Sequence, residues 1–271
     1  MGRAKLVILG GGKMGEALAT GLLASAWAKP EELIVIEPDS RRRAELAAAH
    51  AGIQLATAAV PAEGSVVAVK PPDVETACRS LAGLGVGRCV SIAAGVPLAK
   101  LEDWLGPGTA AMRAMPNTPA VVGAAATAVS AGATAGEADL AWAEEVLGAV
   151  GTVVRLPERS LDAVTGLSGS GPAYVFLVAE ALIDAGVSAG LSQEVSSALV
   201  VQTMLGAGRL LAESGEPPAR LRAAVTSPGG TTAAGLSVLE AAAIRATFTE
   251  AVAAATARSA ELGRLGPPSG P

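Results

Sequence analysis

Aromatic residues are scarce in this chain of 271 residues, where Phe, Trp and Tyr together make up 2%. Its core must be built mainly from Ala, Val and Leu, and a hydrophobic content of 51% predicts a globular chain. The single histidine, His50, and the two cysteines, Cys78 and Cys89, lack metal-binding spacing, which argues against a metal site and favours a reducing compartment. A net charge of −5 without a basic stripe argues against a general nucleic-acid binder.

Uninterrupted membrane-spanning runs are also missing from the sequence. The long uncharged stretches, Ala114–Gly136 and Ala163–Ala179, contain Pro, Gly, Ser and Thr throughout, which is typical of buried structure rather than membrane spans. Glycines interrupt the apolar start between Met1 and Gly12, so no signal peptide is expected. Together these absences predict a cytoplasmic protein without a membrane partner.

A strand, a glycine turn and a helix open the chain. Lys5–Leu9 is a short apolar run typical of a buried parallel strand, and Glu16–Ala24 continues as a helix. Between them, Gly10–Gly15 fits the G-x-G-x-x-G pattern in the context that dinucleotide binding requires. Gly10 is expected to make the tight turn, Gly12 to let a pyrophosphate approach, and Gly15 to let helix and strand pack closely.

The end of the second strand bears on which dinucleotide is bound. Leu33–Ile36 is followed by Glu37, and an acid at this distance from the glycines binds ribose hydroxyls and favours NAD. Arg41, Arg42 and Arg43 follow, and one of them can instead contact the 2′-phosphate of NADP or simply face solvent. The sequence therefore leaves NAD and NADP as alternatives.

Strands alternate with helices through the first part of the chain, which predicts an α/β domain with a mostly parallel sheet over residues 1–158. Cofactors bind at the carboxyl ends of such strands. Asn117, the single asparagine, lies in a stiff loop between two prolines. The further strands are predicted at Val66–Val69, Cys89–Ile92, Ala110–Met112 and Gly151–Leu156.

After Pro157 helical patterns dominate, and residues 159–271 are predicted to form an all-helical domain. Pro228, Gly229 and Gly230 make a turn, Thr231 and Thr232 are good N-cap residues, and the N–H groups of the following helix suit a small anion such as a carboxylate. Glycines and a proline between Thr165 and Tyr174 are expected to bend or interrupt the first of these helices, and Gly263–Pro271 is expected to fray. The helices are predicted at Ser160–Val164, Ala173–Gly186, Gln193–Glu213, Glu216–Ala224 and Thr232–Leu262.

Several motifs, in the right order along nearly the whole chain, closely resemble the pyrroline-5-carboxylate reductase family. The resemblance implies reduction of a cyclic imine to L-proline by NADPH or NADH, in a dimer of interlocked helical domains that sometimes assembles into decamers. The active site would be built across that dimer. The motifs are Val69–Pro71, Ile92–Gly95, Arg113–Pro119, Thr165–Tyr174, Asp184–Val187 and Thr226–Thr232.

Residue roles follow from the resemblance, motif by motif. Thr232 would place its hydroxyl on the ring nitrogen, although it is also a candidate helix cap. The substrate carboxylate would be bound around Ser227, Gly229, Gly230 and Thr231. The implied cofactor contacts are Gly10, Gly11, Gly12, Lys13, Met14, Gly15, Glu37, Arg41, Ala68, Val69, Lys70, Pro71, Ile92, Ala93, Ala94, Gly95 and Asn117.

One position departs from the family pattern, which usually has a polar residue near Ala58 at the adenosine end; here only Thr57 is polar. Two other functions compete with the reductase. A β-hydroxyacid dehydrogenase needs a lysine in its helical half, and none occurs between Leu156 and Pro271. A redox-sensing protein that binds NAD(P) without turnover has no need of the Ser-Pro-Gly-Gly-Thr-Thr segment.

Overall fold

A computed structural model describes residues 4–265 of the chain. These residues fold into two compact units: unit 1 comprises residues 4–170 and 253–265, and unit 2 is Gly171–Val252. The predicted division after residue 158 places the boundary earlier in the chain and stays a prediction about where the two domains meet.

Within the described residues, eight strands form one sheet in the order β3-β2-β1-β4-β5-β6-β7-β8. All neighbouring pairs are parallel except β6 with β7, which confirms the predicted mostly parallel α/β architecture. The strands are β1 (Ala4–Leu9), β2 (Leu33–Ile36), β3 (Gln54–Ala56), β4 (Ala62–Val67), β5 (Arg88–Ser91), β6 (Ala110–Met115), β7 (Ala125–Ala131) and β8 (Gly151–Arg155).

Helices cover both faces of this sheet. The helices of the chain are α1 (Lys13–Ala24), α2 (Ser40–Ala49), α3 (Val74–Leu81), α4 (Leu98–Leu105), α5 (Glu137–Gly148), α6 (Leu161–Val164), α7 (Gly171–Ser188), α8 (Gln193–Glu213), α9 (Pro218–Ala224), α10 (Thr231–Ala241) and α11 (Ile244–Leu265). Side chains of α1 and α5 share one buried cluster, which includes Leu18 and Trp142, and those of α3 and α4 share the other, which includes Cys78 and Leu101.

Unit 2 contains α7 to α10 and the start of α11. Its residues are all described, and Ser196 is the one buried side chain among them. Large apolar side chains of α7 and α8 are exposed, including Leu177 at 65% and Leu205 at 54%. Since unit 2 of a single chain encloses almost no apolar core, its stability depends on contacts that the isolated chain does not provide.

Four features differ from the sequence-based expectations. The short strand β3 and the Ala-rich strand β7 were not predicted. The long helix expected over Thr232–Leu262 is two helices, because Ala243 adopts a left-handed backbone conformation with φ of +55° and separates α10 from α11. The tail that was predicted to fray from Gly263 is helical as far as Leu265, and its remaining residues, 266–271, lie outside the described residues.

The close packing of α1 against the loop before β8 can be tested by substitution of a glycine. A Cβ on Gly21 would lie 2.6 Å from the Ala149 carbonyl oxygen and 2.6 Å from Val150 Cγ1. Gly21→Ala should therefore lower the free energy of unfolding by roughly 1–3 kcal/mol despite the better helix propensity of alanine.

The matched control is Gly148→Ala in α5, where an added Cβ meets nothing within 4 Å. It should raise the free energy of unfolding by up to about 1 kcal/mol. Urea denaturation of both variants measures the difference, and equal stability of the two would show that α1 is not held this closely.

Candidate active site

The glycine turn, Gly10–Gly15, connects β1 to α1 next to the end of β4. Gly10 has φ of +106°, and a Cβ there would lie 2.6 Å from the Ala68 carbonyl oxygen. A Cβ on Gly15 would overlap the Gly10 carbonyl oxygen, so a side chain at Gly15 would separate the helix from the strand. Gly12 is the N-cap of α1 and faces open space. This geometry agrees with the three glycine positions of a dinucleotide-binding turn.

The carboxyl ends of β4 and β5 lie beside the glycine turn at the point where the sheet order reverses. Ala68 donates its backbone N–H to the Leu9 carbonyl oxygen at 2.8 Å, and Ile92 donates to that of Val67 at 3.1 Å. Lys70, Pro71, Ala94 and Gly95 line one cavity of about 500 Å³ within unit 1. The two predicted cofactor segments, Ala68–Pro71 and Ile92–Gly95, are therefore brought together. Lys13 and Met14 form the first turn of α1, where Lys13 is exposed and Met14 is half-buried.

The far side of this cavity includes residues of α11 that the sequence did not single out. Arg258 and Ser259 line it together with Thr165, the first residue of the Thr165–Tyr174 motif. Ser259 is buried and donates its hydroxyl to Asp162 Oδ1 at 2.7 Å, which fixes α11 to α6 within unit 1. Helical periodicity places Ser259 on the helix but carries no signal for its tertiary partner.

A charged network surrounds the first turn of α1. Glu16 accepts a hydrogen bond from Arg42 at 2.5 Å and contacts His50 Nε2 at 2.9 Å. Burial opposes ionisation of Glu16, but the hydrogen bonds with His50 and Arg42 outweigh it, so the pKa of this carboxyl lies below its ordinary value. Arg42 also donates to the Gly11 carbonyl oxygen at 2.7 Å. The network therefore attaches α2 to the glycine turn.

Asn117 links three separate segments of unit 1. Its Oδ1 accepts the Ala126 N–H at 2.9 Å, and its Nδ2 donates to the Ser168 carbonyl oxygen at 3.0 Å. Ser168 lies in a π-helical turn, Thr165–Gly169, which joins α6 to α7 and interrupts the α-helical pattern in this motif, as predicted. Such turns free backbone groups from the helical pattern and occur often at functional sites. Asn117 therefore has a structural role, and its contact with a cofactor stays a prediction.

Arg113 and Glu158 form a further connection that the sequence did not reveal. Arg113 is 8% exposed and donates to Glu158 Oε1 at 3.0 Å. The same oxygen accepts the Leu98 N–H at 2.7 Å, at the start of α4. Glu158 thus ties the segment after Gly95 to β6. These residues are 45 and 60 positions apart, a separation that no local pattern indicates.

The Ser227–Gly230 turn lies in unit 2 and precedes α10. Gly229 has φ of +70°, and the Gly230 N–H donates to the Ser227 carbonyl oxygen at 3.0 Å. The N-cap is Gly230, and α10 has no side-chain cap hydrogen bond, so the expectation that Thr231 or Thr232 caps this helix is wrong. Thr232 is exposed in the first turn, next to backbone N–H groups that precede the first intrahelical bond.

Comparisons with known proteins identify the family. A model of pyrroline-5-carboxylate reductase dimerisation matches residues 158–262, and a model of NADP oxidoreductases described as coenzyme F420-dependent matches residues 5–95. The pyrroline-5-carboxylate reductase of Synechocystis sp. is 46% identical over 265 residues, 96% of this chain and 98% of that protein. This chain belongs to the pyrroline-5-carboxylate reductase family.

Solved structures of pyrroline-5-carboxylate reductases have the same fold. The protein from Coxiella burnetii is 34% identical with a TM-score of 0.89, and the match covers 96% of this chain and 99% of that one. The protein from Plasmodium falciparum, solved with NADP bound, is 32% identical with a TM-score of 0.82, and the match covers 97% and 100%. Family membership makes this chain an NAD(P)H-dependent oxidoreductase with a dimerisation domain.

The charged network around Glu16 predicts a pH dependence of stability. A carboxyl whose pKa is lowered on folding adds stability above its unfolded value, and this contribution is lost as pH falls through the folded pKa. For Glu16 the loss begins below about 4.5, its ordinary value. Glu16→Gln should therefore lose less stability than the wild type between neutral pH and roughly pH 3.

Urea unfolding at both pH values measures this difference, with Glu31→Gln, an exposed carboxylate on another element, as the control. Parallel losses for the wild type and Glu16→Gln would contradict the role of the network in acid stability.

Proposed function

We propose that this chain reduces Δ1-pyrroline-5-carboxylate to L-proline with a hydride from NADPH or NADH, the reaction named for its family. The observation that carries the proposal is a family match along almost the entire chain, including both predicted domains. We place the dinucleotide-binding domain at residues 1–158 and the helical dimerisation and substrate domain at 159–271. Mixing the protein with each cofactor and the imine, then following the loss of nicotinamide absorbance, tests the activity.

Cofactor binding is assigned to the carboxyl edge of the sheet in unit 1. The pyrophosphate would lie on the glycine turn and the start of α1, where backbone N–H groups and the helix dipole favour negative charge. The nicotinamide would enter the cavity lined by Lys70 and Gly95. Lys70 is exposed and Pro71 restricts the backbone, so we assign the Ala68–Pro71 segment a mainly backbone role.

The substrate carboxylate is assigned to the N-terminus of α10. The first intrahelical bond runs from Ala234 N–H to the Gly230 carbonyl oxygen, so the N–H groups of Thr231 and Thr232 come before it. The Gly230 N–H already donates within the turn, and we therefore assign Gly230 the role of providing space. Ser227 lies against Gly230 and would contribute its hydroxyl to the rim of this site.

Thr232 is the proposed catalytic residue. The nicotinamide, when bound, would supply a hydride to the carbon of the C=N bond, and the nitrogen would take a proton from solvent to give the secondary amine of proline. A hydrogen bond from the Thr232 hydroxyl to the ring nitrogen would polarise this bond. Since no side chain caps α10, helix capping does not explain why a threonine occurs at position 232. Orientation of the two reactants would supply most of the barrier lowering, roughly 7–11 kcal/mol.

Replacement of Thr232 tests the catalytic assignment. Thr232→Ala should lower kcat/KM about 10-fold or more, because a hydrogen bond made in the transition state is lost. Thr232→Ser keeps the hydroxyl and should retain most of the activity. Steady-state kinetics with the imine measures both variants, and wild-type kinetics for Thr232→Ala would remove this residue from the mechanism.

A dimer is proposed as the minimal functional form, and decamers would assemble from such dimers. The support is the exposed apolar surface of unit 2 together with the match to a dimerisation domain. Two helical stretches, Glu158–Ser188 and Gln193–Glu213, are long and apolar enough to cross a membrane, but an apolar dimer interface accounts for the same composition. We therefore propose no membrane partner, and the net charge of −5 supports no nucleic-acid partner.

A cytoplasmic location is proposed for the same protein. Cys78 and Cys89 are both buried and free, and a hydrogen bond between the two thiols, together with burial, raises the pKa of Cys78. Free cysteines that lie close together without forming a disulfide are typical of a reducing compartment.

Charged substitutions on the apolar surface test the dimer. Leu177→Arg in α7 and Leu205→Arg in α8 should each shift the protein toward monomer or unfold unit 2, because each places a charge in an apolar interface. Ala99→Arg, on the exposed surface of α4 in unit 1, is the control and should leave assembly unchanged. Light scattering after gel filtration gives the mass, and an intact wild-type assembly in both leucine variants would place the interface elsewhere.

A further inference from the structure

The end of β2 determines which form of the cofactor fits beside it. In dinucleotide-binding folds the residue at this position contacts the 2′ position of the adenosine ribose. Glu37 Oε2 accepts the Gly11 N–H at 3.0 Å, and Oε1 accepts the Asp39 N–H at 3.0 Å. The carboxylate is therefore held at a fixed position against the glycine turn. We infer that Glu37 makes this chain select NADH over NADPH, which rests on the proposed use of a nicotinamide cofactor at this turn.

Two of the three arginines after Glu37 are committed to acceptors of the protein itself. Arg42 donates to Gly11 O, Glu16 and Glu45, at distances of 2.7, 2.5 and 3.2 Å respectively. Arg43 donates to the backbone carbonyl oxygens of Glu37 and Pro38, both at 2.7 Å. Turning either guanidinium toward a 2′-phosphate would break these bonds and leave half-buried acceptors without a donor.

Arg41 is the arginine with the weakest attachment. Its side chain is 88% exposed and pairs with Glu45 at 3.2 Å across one helical turn. Exposed pairs of this kind contribute little stability, so Arg41 is able to reorient toward a bound phosphate. Because Arg41 is exposed, dissolved salt screens its charge. The carboxylate of Glu37, in contrast, is held close to the position that the ribose would occupy. Arg41 therefore offsets only part of the repulsion by Glu37.

The N-terminus of α2 is closed to a phosphate as well. Helix N-termini bind anions through free backbone N–H groups. Here Asp39 Oδ1 already accepts the N–H groups of Arg41 at 2.8 Å and Arg42 at 3.4 Å. A second carboxylate thus occupies the donors that a 2′-phosphate would use, and it adds negative charge at the same place.

The balance of these interactions favours a hydroxyl over a phosphate. A ribose 2′-hydroxyl donates a hydrogen bond to a carboxylate, whereas a phosphate group carries nearly two negative charges and donates none. The reductase from Plasmodium falciparum was solved with NADP bound, so selection of NADH would separate this chain from that relative.

Equilibrium binding without the imine tests this inference separately from catalysis. Nicotinamide fluorescence gives the Kd of NADH and of NADPH for the wild type, Glu37→Gln and the control Glu31→Gln. Glu31 lies before β2, so its substitution removes the same charge at the opposite end of the strand. The wild type should bind NADH about 10-fold or more tightly than NADPH. Glu37→Gln should reduce that ratio by about 10-fold, mainly through tighter NADPH binding, and Glu31→Gln should leave it unchanged.

Glu37→Ser provides a second variant in case the amide disturbs the turn, and circular dichroism checks the fold of each. Tighter binding of NADPH by the wild type, or an unchanged ratio in both Glu37 variants, would overturn the inference. If NADH selection holds but the imine is not reduced, the proposed function fails and the inference stands.

Discussion

The close approach of β1, α1 and β4 is the constraint on which the candidate site depends. Gly10 turns the chain where the Ala68 carbonyl oxygen lies too near for a side chain, and Gly15 brings α1 against that turn. Neither contact adds much apolar burial by itself. Their effect is to place the positive end of α1 and the ends of β4 and β5 at one point of the sheet. A bulkier turn would separate these elements and remove the surface that a dinucleotide needs.

Unit 2 differs from unit 1 in the placement of its apolar side chains. Unit 1 has two continuous apolar clusters, whereas unit 2 leaves most of its leucines and valines and both of its phenylalanines exposed and buries Ser196 alone. Conformational entropy disfavours such an arrangement unless another surface covers it. The Ser227–Gly230 turn belongs to this unit, so the proposed substrate site depends on the same association that stabilises the helices. Binding and assembly are thereby linked in one part of the chain.

The sequence was sufficient where local chemistry decides the structure. β2 and α8 were predicted with their observed bounds, because an apolar run or a long periodic helix has no competing alternative. β7 was missed, since its alanines have low strand propensity and only pairing with β6 and β8 makes them a strand. The break at Ala243 was missed for a related reason: alanine favours helix, so no local signal marks the left-handed residue.

The motifs of the site could be recognised in the sequence as a family pattern, but the contacts made by individual residues could not be predicted from it. Asn117 and Glu158 satisfy backbone groups far away in the chain, so their partners emerge only from the fold. Both hold segments that border the cavity lined by Lys70 and Gly95, and neither needs to transfer a proton. This agrees with a reaction whose electrophile is already reactive, in which a protein gains most by fixing two partners in place. The polar residues of such motifs then act mainly as supports, and the role proposed for Thr232 requires no more than a neutral hydroxyl.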